Sequence, residues 1–175
     1  MIETERLLLR PHTLADFDDL CAMFGDPEVV RYVGGMTMTK EEVWNRLLRY
    51  IGHWSVMGHG LFAIVEKSSG RFLGDTGFAD FHRYLGEDFD PYPEAAWILA
   101  SGTHGQGYAF EAAGAVHAWF DTRFRPSRTV CIIQKENDPS HRLAAKLGYR
   151  AFGEATYKGA AMTMYERPGP VENDR

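Results

Sequence analysis

A short apolar run, a glycine-containing turn and a helical pattern follow one another just past the middle of the chain. The apolar run covers residues 95–100 and is typical of a buried strand. The turn contains Gly105 and Gly107, and apolar residues recur at helical spacing from Tyr108 to Phe120. The first N–H groups of a helix lack intrahelical acceptors and carry partial positive charge, and glycines let an anion approach them closely. The pattern therefore predicts a phosphate site.

Two common nucleotide-binding motifs do not account for this turn. The pattern G-x-x-x-x-G-K-[ST] is absent, and the pattern G-x-G-x-x-G fails at its third glycine, where Phe110 stands. The second pattern also normally follows the first strand of a domain, whereas this turn lies beyond mid-chain. Strand–glycine–helix turns are common, so a purely structural turn remains the alternative to phosphate binding.

Residues 104–109 resemble the acyl-CoA signature of the GNAT superfamily of N-acetyltransferases, (Arg/Gln)-x-x-Gly-x-(Gly/Ala). Gly107 and Ala109 match its last two fixed positions. His104 stands where Arg or Gln is usual, which is a departure from the family pattern.

Two further blocks support the resemblance. Residues 137–140 and 146–149 are similar to the Asn-x-x-Ser…Lys-Leu-Gly-Phe segment of the branch that includes ribosomal-protein N-terminal (alanine) acetyltransferases. The opening residues 5–11 resemble the first strand of that branch. The three blocks occur in the family's order and spacing and together span most of the chain.

The resemblance implies an acetyl-CoA-dependent N-acetyltransferase in which a primary amine attacks the thioester directly within a ternary complex. It implies that backbone groups of the central strand hold the pantetheine arm and that the turn holds the pyrophosphate. The residues assigned in this way to acetyl-CoA binding are Ile98, Leu99, Ala100, His104, Gly105, Gln106, Gly107, Tyr108, Ala109 and Asn137. We also expect a backbone N–H near Leu99 to stabilise the charge that develops on the thioester oxygen.

The leaving thiolate benefits from an acid or a hydrogen-bond donor. Many family members carry a tyrosine seven residues after the asparagine, where this chain has Ala144. The resembled branch instead has a serine three residues after the asparagine, and Ser140 matches it. We therefore expect Ser140 to donate a hydrogen bond or proton to the thiolate; helix capping is the alternative role.

The attacking amine must be neutral, so a base or a chain of water molecules must take its proton. Glu94, at the start of the central strand, is the expected base, because the resembled branch often carries a carboxylate there. Asp75, Asp80 and His82 are the alternatives, each of which could instead be an ordinary surface group.

Length and composition are consistent with one domain. The chain has 175 residues, of which 45% are apolar. We expect a single N-acetyltransferase domain over residues 1–168 and a disordered tail over 169–175. An apolar run of 18 residues and a signal-peptide core are both absent, which favours a cytoplasmic protein without a membrane partner.

The expected partners follow from charge and chemistry. The net charge of −5 argues against nucleic-acid binding, and no cysteine spacing typical of zinc or redox sites occurs, so no metal is expected. The acceptor is expected to be a small-molecule amine or a protein N-terminus. The acidic loop 86–94 could attract a cationic acceptor, or it could simply be solvated. Oligomeric state is open, with a homodimer as one option.

The order of predicted elements is β-α-α-β-β-β-α-β-α-β-β, which indicates an α/β protein. The resemblance implies a GNAT-like mixed, mostly antiparallel sheet of about seven strands, with helices on both faces and a splayed parallel pair at the centre. That pair would be residues 95–101 and 128–134. A capping box at 39–42 predicts a helix to about residue 56, and Gly74 and Gly77 are candidate β-bulges.

A non-catalytic acyl-CoA-binding or regulatory module on the same fold is the alternative function, because a fold does not determine an activity. The two departures from the family pattern, His104 and Ala144, leave this alternative open.

Overall fold

Eight strands form one sheet in the computed structural model of this protein, which describes residues 1–170. The strands are β1 (Ile2–Glu3), β2 (Leu7–Pro11), β3 (Leu61–Glu66), β4 (Phe72–Ala79), β5 (Glu94–Leu99), β6 (Arg128–Gln134), β7 (Arg150–Tyr157) and β8 (Ala160–Pro168). Their order across the sheet is β1-β2-β3-β4-β5-β6-β8-β7. The eighth strand, compared with the seven or so expected, is the two-residue β1.

Five α-helices connect these strands. They are α1 (Phe17–Phe24), α2 (Pro27–Val30), α3 (Lys40–Met57), α4 (Tyr108–Phe124) and α5 (Asp138–Lys146), with 3₁₀ turns at Leu14–Asp16 and Ser101–Thr103. The capping box predicted for α3 is confirmed: the Thr39 hydroxyl accepts from Glu42 N, and the Glu42 carboxylate accepts from Thr39 N. Gly58, at a φ of +70°, ends this helix.

The expected end of the domain lies near the end of the described chain. The Gly169 N–H donates to Ser127 O at 2.9 Å, so the backbone is still hydrogen-bonded one residue beyond β8. From residue 171 onward, the tail expected to be disordered lies outside the described residues.

The two parallel strands at the centre of the sheet are paired through a single residue pair in the described part of the chain. Strands β5 and β6 pair only at Glu94 and Val130 among the described residues, where Val130 N donates to Pro93 O at 3.0 Å. The ladder does not continue beyond this pair, so the two strands separate towards their carboxyl ends. The mixed sheet and the central parallel pair are as expected.

Helices cover both faces of the sheet. On one face, Tyr108, Ala112, Val116 and Phe120 of α4 pack against buried residues of the sheet. On the other face, α1, α2 and α3 pack their apolar stripes on the opposite side chains of β3, β4 and β5. Burial of these apolar side chains is the main favourable contribution to folding. It also fixes the N-termini of α4 and α5, the helices that follow β5 and β6.

Two glycines of β4 allow neighbouring strands to approach closely. A Cβ on Gly74 would lie 2.2 Å from the Ile98 carbonyl oxygen, and one on Gly77 would lie 2.2 Å from the Gly60 carbonyl oxygen. The pairing of β3 with β4 shifts beside Gly74, so a bulge does lie next to that residue. The register at Gly77 is regular, so the expected bulge there is wrong and close packing of the strands is the reason for glycine.

Replacement of Gly74 with alanine should destabilise the protein, because the added methyl group would push β4 away from β5. We expect a loss of roughly 3 kcal/mol in the free energy of unfolding, measured by urea denaturation. Gly114→Ala is the matched control, since its Cβ meets nothing within 4 Å in the interior of α4, and alanine there should be neutral or stabilising. Equal stability of the Gly74→Ala variant and wild type would contradict this view of the β4–β5 contact.

Candidate active site

The turn between β5 and α4 presents backbone N–H groups in the way an anion site requires. Gly105 and Gly107 have φ values of +74° and +81°, which L side chains rarely adopt. Within residues 1–170, the N–H groups from Gly105 to Phe110 have no hydrogen-bond acceptor, while Glu111 N donates back to Gly107 O. These free donors at the positive end of a 17-residue helix form a concave cradle that suits a phosphate.

Arg6 anchors this cradle to the start of the chain. Its guanidinium donates to Gln106 O at 3.0 Å and forms an ion pair with Glu111 at 2.7 Å. It also stacks on the Tyr108 ring, 4.4 Å from the centroid. Because Tyr108 itself is buried and its hydroxyl donates to Glu66, only the backbone of Tyr108 is available to a ligand.

The His104 side chain folds back onto the central strand. Its Nε2 lies 3.1 Å from Leu99 O, so this nitrogen carries the proton and donates to the carbonyl. The Thr103 hydroxyl likewise donates to Ala100 O at 2.7 Å, and the Gln106 amide donates to Gly102 O. Side chains of the turn therefore stabilise its shape, and the backbone supplies the free donors.

The pairing of β4 with β5 determines which backbone groups of β5 face the gap beside β6. Ala100 N donates to Leu73 O, so this is a hydrogen-bonded pair of the antiparallel ladder. The neighbouring pair, Gly74 and Leu99, is then a non-hydrogen-bonded pair. Consequently the N–H and C=O of Leu99, and those of Trp97 two residues earlier, point towards β6.

Ser140 and Trp97 meet across this gap. The Trp97 indole N–H donates to the Ser140 hydroxyl oxygen at 3.2 Å. The residue that caps α5 is Asn137, whose side chain accepts from the backbone N–H of Ser140. The Ser140 side chain is therefore not part of the cap, and its own proton is free to be donated to another group.

Glu94 is buried and paired. It is 4% exposed, and Arg83 Nε lies 2.9 Å and 2.7 Å from its two carboxylate oxygens. Burial raises the pKa of Glu94 above its usual value, while the hydrogen bond and charge of Arg83 act in the opposite direction. The Arg83 guanidinium is itself held between the rings of Phe81 and Tyr157.

The expected alternatives to Glu94 occupy different environments. Asp80 and His82 are exposed and lie 3.3 Å from one another. Asp75 is completely buried on β4, and neither of its carboxylate oxygens has a hydrogen-bond partner among residues 1–170. Burial raises the pKa of Asp75 to about 7, against the opposing influence of Arg46, the nearby Tyr50 hydroxyl and Arg49.

Sequence reasoning missed the side chains that surround these carboxylates. Arg83 lies in an irregular loop, where no periodicity predicts its partner. Arg46, Arg49 and Tyr50 lie on α3, and the spacing of the two arginines was the available signal that they share one side of the helix. Burial also raises the pKa of Tyr50 well above its usual value, so its hydroxyl keeps its proton.

Comparison with known proteins identifies the family. Residues 6–150 match the model of the acetyltransferase (GNAT) domain, so the chain belongs to the GNAT acetyltransferase family and is an acetyltransferase. An uncharacterized N-acetyltransferase of Bacillus licheniformis, p20, is 28% identical over 151 residues, which cover 86% of this chain and 82% of that protein.

Solved structures agree with this assignment. A protein from Bordetella pertussis assigned to the GNAT acetyltransferase family is 36% identical, with a TM-score of 0.85 over 95% of this chain and 98% of that one. A ribosomal L7/L12 α-N-protein acetyltransferase in complex with coenzyme A shares the fold alone, at 15% identity and a TM-score of 0.74 over 98% and 97% of the two chains. The resemblance to the GNAT family is confirmed, and ribosomal-protein acetyltransferases are among the structural neighbours.

Residues 1–170 contain neither a membrane-spanning helix nor a cluster of potential metal ligands. No helix in this part of the chain is both long enough and apolar enough to cross a membrane. No group of three or more His, Cys, Asp or Glu side chains there is arranged to hold a metal ion.

The raised pKa of Asp75 predicts a specific pH dependence of stability. Its pKa of about 7 in the folded protein exceeds the ordinary value near 3.9, so stability is lost as the pH rises from about 4 to 7. Asp75→Asn should abolish this loss, so the free energy of unfolding of the variant relative to wild type should increase by about 4 kcal/mol between pH 4 and pH 8. Urea denaturation at several pH values measures this difference.

Asp88→Asn is the control, because Asp88 is exposed in the loop before β5. Its difference from wild type should stay constant over the same pH range. A constant difference for Asp75→Asn as well would mean that the Asp75 carboxyl ionises normally in the folded protein.

Proposed function

We propose that this protein is an acetyl-CoA-dependent N-acetyltransferase that acetylates a primary amine by direct attack in a ternary complex. The observation that carries the proposal is the cradle of free N–H groups at Gly105 to Phe110, immediately after the strand whose backbone faces the gap. Coenzyme A in a structural neighbour of the same fold supports the choice of cosubstrate.

The proposed cosubstrate site follows the open edge of β5. The backbone N–H and C=O of Leu99, which face the gap, would lie along the pantetheine arm, whereas those of Ile98 and Ala100 point towards β4 and are not available to it. The N–H groups from Gly105 to Ala109 would bind the pyrophosphate. Asn137, beside the gap at the start of α5, would complete the site. The N–H of Leu99 would donate to the thioester oxygen as it gains charge.

Acetyl-CoA supplies the activated acetyl group, and the residues of this chain position the amine and move two protons. The new N–C bond forms as the C–S bond breaks, and the amine nitrogen gives a proton to a chain of water molecules that leads to the Glu94 carboxylate, because Glu94 lies five residues before Leu99 on β5, about 16 Å along the strand. The Ser140 hydroxyl, which Trp97 orients, donates a hydrogen bond to the leaving thiolate, and the serine regains from solvent any proton that it passes to the sulfur. Burial of Glu94 raises its pKa and therefore its basicity near neutral pH.

A negatively charged side chain introduced at Gly107 tests whether the turn binds phosphate. Gly107→Asp should weaken acetyl-CoA binding at least tenfold, because a carboxylate would stand among the phosphate-binding N–H groups. Gly107→Asn is the matched control: aspartate and asparagine both tolerate positive φ, and the Cβ would be only 3.5 Å from an Arg6 nitrogen, an ordinary contact. Calorimetric titration of both variants and wild type with acetyl-CoA measures the effect.

Binding by wild type that is lost in the aspartate variant and largely kept in the asparagine variant would support the cradle. Equal affinities for the three proteins would mean that the central glycines form only a structural turn. No acetyl-CoA binding by folded wild type would overturn the proposed function.

The role of Ser140 is tested by removal of its hydroxyl. Ser140→Ala should lower kcat by roughly 10- to 100-fold, a typical contribution for a positioned proton donor. Stability should change little, because the backbone N–H of Ser140, and not its side chain, takes part in the helix cap. Initial rates of thiol release from acetyl-CoA measure the first effect, and urea denaturation measures the second.

Trp97→Phe is the milder variant, because it keeps the Ser140 hydroxyl and removes only the indole N–H that donates a hydrogen bond to it. We expect a smaller loss of kcat in this variant. A large loss of stability with unchanged kcat in Ser140→Ala would instead indicate a purely structural role.

A further inference from the structure

Three arginines gather on the α3 side of the sheet, beside the proposed base. Arg46 and Arg49 lie on α3, and Arg83 lies in the loop before β5. The guanidinium groups of Arg49 and Arg83 both lie over the Phe81 ring, 5.8 Å and 4.6 Å from its centroid. We call Arg46, Arg49 and Arg83 the arginine cluster.

Among residues 1–170, only one member of the arginine cluster has an ionic partner. Arg83 is neutralised by Glu94, with an Nε–carboxylate distance of 2.7 Å. Within the described part of the chain, neither Arg46 nor Arg49 has a carboxylate within 4.0 Å; Arg46 donates instead to the neutral Tyr50 hydroxyl at 3.0 Å. Two guanidinium charges therefore remain uncompensated, in a chain whose net charge is −5.

The nearest acidic groups form no ion pair with Arg46 or Arg49 among residues 1–170. Asp75 forms no ion pair with them among residues 1–170, and because burial raises its pKa to about 7, it is only partly ionised at neutral pH. Asp80 accepts from His82 N and lies beside the His82 ring. Asp90, in the acidic loop, accepts from the backbone N–H groups of Leu85 and Gly86.

One of the two uncompensated arginines, Arg49, lines a hollow next to the hollow that contains Glu94. One hollow of the surface is lined by Arg49, Tyr50 and His53, and another by Arg83 and Glu94; the two share residues 79–81. An acceptor with its amine near Glu94 could therefore extend over Phe81 towards Arg49. Asp75, which faces Arg46 and Arg49, is paired in register with Ile98 of the proposed cosubstrate strand.

We propose that the acceptor is a primary amine that also carries a carboxylate, and that Arg49, assisted by Arg46, binds this carboxylate. The inference rests on the proposed function and specifies its substrate class. A guanidinium binds a carboxylate with charge-assisted hydrogen bonds, and Arg49 is exposed and free to do so. The same positive charge disfavours a polyamine, whose second ammonium group would approach the cluster.

The test compares acceptors that differ only in the carboxylate. A panel of free linear amino acids with increasing separation between amine and carboxylate, from the α-amino acids onward, and their amides is assayed with acetyl-CoA for thiol release, together with spermidine. The free acids should show KM values at least tenfold lower than those of their amides, and spermidine should be the poorest acceptor. Amides or spermidine used as well as the acids, or no turnover of any carboxylate-bearing amine by a protein that binds acetyl-CoA, would overturn the inference.

Arg49→Gln is the decisive variant, because an exposed residue can be replaced without unfolding the protein. It should raise KM for the best free acid roughly tenfold, with kcat within about twofold, and leave KM for the amide unchanged. Arg123→Gln, on the exposed side of α4, makes the same change in net charge and should leave both KM values as in wild type. An unchanged KM for the acid in Arg49→Gln would overturn the inference.

Calorimetry with acetyl-CoA separates this inference from the function on which it rests. If wild type and Arg49→Gln bind acetyl-CoA equally, any change in KM reports the acceptor site. If folded wild type does not bind acetyl-CoA, the proposed acetyl transfer itself fails, whichever amines are supplied.

Discussion

The separation of β5 from β6 is the constraint on which the rest of the site depends. A backbone N–H or C=O that leaves a sheet ladder must find another partner, because an unpaired buried polar group costs free energy. Here the ladder stops after Glu94 and Val130, so polar backbone groups of β5 face an opening inside the sheet. Helices α4 and α5 directly follow these two strands, so both helix N-termini reach the same opening. This is the carboxyl edge of a parallel pair, where ligands bind in many α/β proteins.

Charge around the opening is supplied by two different means. At the start of α4 it comes from backbone N–H groups, and the nearby Arg6 is already neutralised by Glu111. On the α3 side it comes from guanidinium groups, of which Arg83 is matched by Glu94. A buried carboxylate without such a partner would protonate instead, and Asp75, with a pKa of about 7, approaches that condition. Burial and charge pairing thus give two nearby carboxyl groups different properties.

Local patterns predicted the elements well, because their physical causes lie within a few residues. The capping box at Thr39 predicted the start of α3. The strand predicted at residues 128–134 is β6, at Arg128–Gln134. Contacts between residues distant in sequence could not be predicted in this way. The bond from Trp97 to Ser140 joins residues 43 apart, and only the fold shows that a tryptophan of the core also holds the serine hydroxyl. Gly77 was misassigned for the same reason, since the chain that it touches belongs to a different strand.

Net charge does not determine which acceptor an active site binds, for a related physical reason. At physiological ionic strength, exposed charges are screened beyond about 8 Å, so a ligand in a cleft experiences mainly the groups that line it. The chain as a whole is acidic, and its acidic loop suggested a cationic acceptor. Yet the Asp90 carboxylate in that loop is engaged by backbone N–H groups, whereas Arg49 remains without an ionic partner among residues 1–170. An anionic group on an acceptor that reaches Arg49 would compensate the charge of that guanidinium.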